Sequence, residues 1–421
     1  MSVTIIQTPI KVSLSGNRVP VKLATDLTGS EKKFLSIHVK VQEWNGSSWV
    51  DVGHDTKLVD ENGEAQFFVE EYLKLQTIPA FQYTETDILV KRPGMIFRYR
   101  LAWYESYFDA TTNTKTTTSE SSNQVDYYAL DGGIDNELQA QYNKDGTDWL
   151  AQLRSNDQFL TWQPPVKQLH TGSIEKLYWL VQSASRIKLK AKRTNTDDTT
   201  SESVLAELDV SAYDVIECCV SPGNLYSSLS DLKKYEVWLL NENDTVISET
   251  RTYNIDRTYY ERNDTFIFTN SLGAIDAIWA RGNITEQVDH QRNRFNRILH
   301  YDFRDDRKAA SSRSVKKKNG EGELGYITEA DPVRWKEYYA IEFLGAKDHF
   351  KLQGERILPV VVTAEESLIL QDTQYIYSQP FKWTESRSSK YYSYQKAIGE
   401  TYDYITENGE IITENGEGIW E

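Results

Sequence analysis

The sequence predicts an all-β protein: tandem immunoglobulin-like or fibronectin-like β-sandwiches, a third β-rich region and a C-terminal hairpin. Three observations carry this. Apolar and polar residues alternate with period two over many short segments, Asn-Gly turns separate several of them, and aromatic residues make up 12% of the chain, with 26 Tyr, 14 Phe and 11 Trp. Alternation marks a strand with one face on a core, and aromatic side chains favour pleated, half-buried surfaces.

The elements follow in chain order. Residues 10–23 alternate around Ser15-Gly16-Asn17 and read as two short strands. Residues 34–44 place Leu35, Ile37, Val39 and Val41 on one face and Ser36, His38, Lys40 and Gln42 on the other. Asn45-Gly46 turns that strand back into Trp49-Val-Asp-Val, and Asn62-Gly63 turns into Ala65-Gln-Phe-Phe-Val. A further strand begins at Phe97, and the Thr- and Ser-rich stretch 107–123 reads as a hairpin tip standing off the body. Strand 125–131 closes a first sandwich, residues 1–133, at Gly132-Gly133.

A second, related sandwich is expected over residues 134–262, opened by Phe159-Leu-Thr-Trp162-Gln-Pro-Pro as an edge strand, because Pro cannot donate to a ladder. Three echoes in the same order suggest duplication: Ala65 with Ala206, Tyr99-Arg-Leu-Ala-Trp with Tyr235-Glu-Val-Trp-Leu, and Asp126-Tyr-Tyr with Arg251-Thr-Tyr. Residues 263–334 read as a connecting segment with a basic loop. Residues 335–421 read as a β-rich C-terminal domain with strands near 338–343, 356–362 and 375–383, ending in the repeat Thr406-Glu-Asn-Gly-Glu and Thr413-Glu-Asn-Gly-Glu.

Charge and composition exclude several function classes. With 47 Lys+Arg against 63 Asp+Glu the net charge is −16, which disfavours direct nucleic-acid binding by the chain as a whole. Cys218 and Cys219 are adjacent and point to opposite faces of an extended chain, so no disulfide framework is expected. The six His are scattered without metal-ligand spacing. The start of the sequence lacks a basic leader with an apolar core, and no apolar run approaches membrane-spanning length, so neither a signal peptide nor a membrane anchor is expected. The four Asn-x-Ser/Thr sequons, at Asn45, Asn243, Asn263 and Asn283, are accordingly read as chance.

Catalytic motifs are absent: no nucleophile elbow, zinc-protease helix, phosphate loop or dinucleotide fingerprint occurs. The paired carboxylates Glu70-Glu71 and Glu365-Glu366 are adjacent and diverge, so they read as solvated edges rather than a glycosidase pair. The reading is therefore not an enzyme, with no catalytic, cofactor or metal residues and no cofactor. The feature singled out for partner binding is the basic run Arg304, Arg307, Lys308, Arg313, Lys316, Lys317 and Lys318 in an otherwise acidic chain. It reads either as a solvated loop or as an arm that clamps an acidic neighbour, most simply another copy. Trp44, Trp49, Tyr226, Tyr259 and Tyr260 read as core and cross-strand pairs, with a sugar-stacking platform as the alternative.

The segment Asp264-Thr-Phe-Ile-Phe-Thr-Asn270-Ser-Leu-Gly273-Ala-Ile-Asp276, followed by Trp279 and Gly282, resembles a recurring segment of virion proteins from phages and prophages of Bacteroidetes. The stretch from Leu358-Pro-Val-Val-Val through Tyr375 to Phe381-Lys-Trp383 and the Thr-Glu-Asn-Gly-Glu terminus share that likeness, which covers residues 264–421. The resemblance implies a structural virion protein associated with the tail, baseplate or neck, with other virion proteins and copies of itself as partners. It also implies assembly in the host bacterial cytoplasm. The alternative is a glycan- or receptor-binding adhesin module.

Overall fold

A computed structural model of the chain describes residues 3–26, 32–74, 87–135, 137–139, 141, 149–259, 264–280, 285–291, 294–296, 309–311, 315–324, 331–353, 356–363, 379–385, 404–405 and 411–412. The fold is all-β. It divides into two compact units, residues 1–285 with 320–384 and residues 286–319 with 385–421.

In the first unit, strands β1 (Thr4–Gln7), β2 (Val12–Leu14), β3 (Pro20–Ala24), β4 (Lys32–Trp44), β5 (Trp49–Leu58) and β6 (Glu64–Phe68) lead to a short helix α1 (Glu70–Lys74). Strands β7 (Leu89–Lys91), β8 (Ile96–Asp109), β9 (Thr114–Thr117), β10 (Ser121–Ser122) and β11 (Tyr127–Leu130) follow. Sheet β1-β3-β6 faces sheet β2-β11-β8-β4-β5, and Val21, Phe67, Ile37, Val39, Tyr99, Leu101 and Ala129 fill the space between them. The alternation read in β4 is realised, with Ile37, Val39 and Val41 almost wholly buried. At its end Trp44 pairs with Trp49 across the Asn45-Gly46 turn, where Gly46 takes a positive φ of 95°. The Thr- and Ser-rich stretch folds back, with β9 and β10 both pairing with β8.

The second sandwich holds β12 (Val166–His170), β13 (Lys176–Leu180), β14 (Arg186–Asn195), β15 (Thr200–Asp209), β16 (Val215–Cys219), β17 (Leu232–Asn241) and β18 (Arg251–Asp256); helix α2 (Trp149–Ser155) precedes it in the chain and α3 (Pro222–Leu225) follows β16. Its strand order, β12-β18-β17-β14-β15 against β13-β16, repeats that of β2-β11-β8-β4-β5 against β3-β6. The first pair is parallel in both large sheets.

The echoes align less simply than the sequence suggests. Tyr99 opposes Tyr127 and Tyr235 opposes Tyr253, so Tyr127 is equivalent to Tyr253 and not to Thr252. A one-residue slip moves every side chain to the other face, and the core requires the buried ring. Ala65 and Ala206 lie on β6 and β15, which are not equivalent strands. Residues 159–165 lie outside any sheet, with bends at Leu160, Gln163 and Pro165, and the edge strand starts at Val166, just past Pro164 and Pro165.

The sandwiches are not independent. Strand β7, between two elements of the first sandwich, adds to β16 of the second, giving β13-β16-β7.

Strands β19 (Asp264–Thr269) and β20 (Ile275–Ala280) are followed by β21 (Thr285–Gln291), β22 (Arg294–Asn296), β23 (Ala309–Ser311) and β24 (Val315–Leu324), then by β25 (His349–Gln353), β26 (Arg356–Thr363) and β27 (Gln379–Glu385). β19 pairs with both β20 and β25, so residues 264–280 belong to the third sheet and not to a connecting segment. In place of the strand expected at 338–343, helix α4 (Pro332–Tyr338) runs into a π-helical turn, Tyr339–Phe343. The reason is local: Asp331 caps the first turn by accepting from the Arg334 N–H, Pro332 sits at N1, and Trp335, Tyr338, Tyr339 and Phe343 fall on one helical face. That face covers Phe266, Phe268, Phe381 and Trp383. In the second unit β22 pairs with β23, and β28 (Tyr404–Ile405) pairs with β29 (Ile411–Ile412) around the first Asn-Gly of the tail.

Candidate functional site

The two sandwiches and the third sheet meet at a shared apolar core. It takes Val12, Leu14 and Leu130 from the first sandwich, Trp149 and Leu153 from α2, Tyr178, Leu180 and Val215 from the second, and Ile267, Leu272 and Ile275 from the third sheet. Strand β16 is buried on both faces as a result. Ile216 and Cys218 point into the second sandwich, and Val215 belongs to the shared core.

On that inner face lies Glu217, with no exposed surface. Arg92, from the segment after β7, grips it through Nε and Nη2, each 2.9 Å from a carboxylate oxygen. Lys176 Nζ donates to Oε1 and Tyr178 OH to Oε2. Burial pushes the Glu217 carboxyl up, but the Arg92 hydrogen bonds and the Lys176 charge outweigh it and hold the group below the usual carboxylate range. Burial alone dominates its neighbour, and the Cys219 thiol is pushed up to about 12. Neither cysteine is therefore a reactive thiolate near neutral pH.

A second buried network joins the second sandwich to the third sheet. Lys167 Nζ donates to Glu175 Oε2 at 2.6 Å and to the Ala277 carbonyl at 2.6 Å. Asp276 Oδ2 accepts from Thr161 Oγ1 at 2.9 Å, Asn270 Nδ2 at 3.0 Å and Tyr338 OH at 2.6 Å. Trp335 Nε1 donates to the Val166 carbonyl. Burial raises the pKa of both Glu175 and Asp276, against the pull of these partners.

Where the three parts meet, an open cleft of about 920 Å³ lies between the Gly132-Gly133 exit, the Asn270-Ser271 turn and the π-helical turn. Its wall contains the buried Glu342 beside the half-buried Ser271: Glu342 accepts from the Ser271 N–H and Oγ, and Ser271 Oγ accepts from Trp162 Nε1 at 2.9 Å. Burial raises the Glu342 pKa. Gly273, at φ 79°, turns here against the backbone of Asp131 with no room for a Cβ.

The residues singled out from the sequence fall elsewhere. Lys316, Lys317 and Lys318 lie on strand β24 rather than in a loop, and Arg304, Arg307, Lys308 and Arg313 lie outside the described residues. Trp44 and Trp49 are a half-buried cross-strand pair on the outer face of the β4 sheet, outside the core. The Arg100 guanidinium sits 4.2 Å from the Trp49 ring centre, and Arg98 stands over both rings. On the same face His38 stacks on Tyr104 at 4.4 Å. Tyr226 packs against Tyr235, Tyr259 is exposed, and Tyr260 lies outside the described residues. The buried Glu217, Lys167 and Glu175 went unremarked in the sequence reading. The signal for Glu217 was present in Val215-Ile-Glu-Cys-Cys-Val, a lone charge inside an apolar strand.

Among the described residues no group of three or more His, Cys, Asp or Glu is placed to hold a metal ion, and no helix is long and apolar enough to cross a membrane. No protein-family model matches the sequence, and no curated protein matches it. Among solved structures the chain is similar to the CBD12 fragment of CALX1.2, at 8% identity and a TM-score of 0.18 over 61% of this chain and 99% of that one. It is also similar to E. coli alpha-2-macroglobulin in its native conformation, at 9% identity and a TM-score of 0.19 over 91% of this chain and 20% of that one. These likenesses are too distant to bring a function to this chain.

Two outcomes follow from the buried charges. Arg92→Ala leaves Glu217 buried with one cation fewer, and should cost about 3–5 kcal/mol in denaturant unfolding; a loss below roughly 1 kcal/mol, the value of an exposed pair, would contradict the clamp. Glu175, Asp276 and Glu342 have folded pKa values above their unfolded ones, so the stability they contribute is complete below the ordinary carboxyl range and is lost as pH rises through the folded values. Glu217 acts in the opposite sense, its share being lost as pH falls through its lowered value. The share of stability from these three carboxyls should therefore fall as pH rises above the ordinary carboxyl range, and Glu342→Gln, a mimic of the protonated group, should flatten the part of that fall due to Glu342. An unchanged pH profile in this variant would show that Glu342 does not contribute.

Proposed function

We propose that this chain is a structural component of a phage particle, tail-associated, acting as a rigid assembly module alongside copies of itself and other virion proteins. The observation that carries the reading is the fusion of two sandwiches and a third sheet through one shared core and two buried ion networks. Modules joined this way transmit position rather than swing on linkers, because inter-domain motion is the default only where interfaces are small and polar. The likeness of residues 264–421 to virion proteins of Bacteroidetes phages and prophages supplies the setting, with assembly in the bacterial cytoplasm. The basic run of an acidic chain supplies a charge contrast suited to contacts between copies.

The outer face carrying Trp44, Trp49, Tyr104 and His54 favours a second reading, a glycan- or receptor-binding module. Against it, arginines already occupy the two Trp rings.

Light scattering of the purified chain over a concentration and salt series separates the two. The assembly reading predicts a discrete multimer that weakens as salt rises. A strict monomer that binds a saccharide array would replace it with the adhesin reading.

A further inference from the structure

We infer that the outer edge of β15 is a strand-addition site for the basic β22–β23 hairpin of a second copy. This rests on the reading of the chain as self-assembling, and it names the surfaces that meet.

An open sheet edge is a template for another chain, and folded proteins cover or interrupt such edges. Several edges in the first unit are treated this way. Trp149 Nε1 donates to the Val12 carbonyl on β2, and Trp335 Nε1 to the Val166 carbonyl on β12, each at 3.1 Å. Tyr72 OH donates to the His54 carbonyl on β5, with its ring packed against Gly53. Lys57 Nζ donates to the Gln66 carbonyl on β6. Strand β1 is short and broken by an irregularity between Ile5 and Gln7.

Strand β15 differs. It runs for ten residues at the end of the order β12-β18-β17-β14-β15, and among the described residues no strand pairs with its outer edge. Residues 200–204 are exposed, Val204 at 43%. It contains no Pro, and residues 197–209 carry five carboxylates and no Lys or Arg. Glu202 and Asp209 are paired with Lys190 and Arg186, but at carboxylate exposures of 44% and 77%. Exposed pairs of this kind contribute little and leave the carboxylates open to a second cation. Pairing β15 with the β15 of another copy would set carboxylates against carboxylates, which is destabilising.

The complementary element is on the same chain. β22 and β23 form a two-stranded sheet of three residues each, and such a ribbon is marginal alone and is stabilised by further strands. It lies in residues 292–318, which carry ten Lys or Arg against three Asp. Docked on β15 of a neighbour, the hairpin would extend that five-stranded sheet to seven and bring the basic run against the acidic edge. The contact is heterologous, so each copy offers one edge and one hairpin, and repetition closes a ring or propagates a filament.

Sedimentation velocity and light scattering on the full chain test this with Glu202→Lys/Glu207→Lys in β15, Arg307→Glu/Lys308→Glu beside β23, and the four changes combined. Wild type should associate. Each charge-reversed pair should weaken association roughly tenfold or more, and the combination should restore it. Glu202→Gln/Glu207→Gln, which only neutralises, should weaken it less, and thermal melting checks that each variant is folded. Unchanged association in the β15 variants, or no restoration in the combination, overturns the docking and leaves the assembly reading intact. A wild-type chain that stays monomeric overturns both.

Discussion

Glu217 is the residue on which the arrangement of the first unit turns. A carboxylate with no exposed surface costs several kcal/mol to desolvate, and this one is held by partners from two parts of the chain: Arg92 follows a strand lent by the first sandwich, while Lys176 and Tyr178 belong to the second. Separating the sandwiches would strip the guanidinium from the carboxylate and return part of the shared core to water. The ion cluster and the apolar core thus favour the same docked geometry. The cluster adds orientation, because a bidentate Arg–carboxylate contact tolerates little rotation.

That constraint reaches the third sheet by the same means. β20 is buried along its whole length, between the aromatic face of α4 and the shared core. Its single charge, Asp276, is satisfied by donors from three different segments, at Thr161, Asn270 and Tyr338. The surfaces proposed to meet a neighbour, the β15 edge and the basic run, lie apart from this buried framework.

Much of the architecture was legible in the sequence because it is local. The alternation of Leu35 to Val41 and the Asn45-Gly46 turn follow from residues within reach of one another. Helix α4 was missed because Tyr338 to Phe343 are rich in β-favouring aromatics, and the decisive features, the Asp331 cap and the three-to-four residue spacing, lie partly upstream. The slip between Tyr127 and Thr252 arose because both readings preserve alternation, and only the cross-strand partners Tyr99 and Tyr235 select between them. The cleft and the Glu217 cluster join residues more than a hundred positions apart, which no periodicity reveals. A lone charge in an apolar strand indicates that a partner exists without indicating where.

Joined by one core and two buried ion networks, the first unit should unfold as one cooperative body. Hydrogen exchange followed by mass spectrometry, under conditions where global opening dominates, reads this for peptides from β4, β16 and β19. All three should share a single opening free energy, lowered together by mild denaturant. Three distinct opening energies, each tied to one sandwich or to the third sheet alone, would contradict it.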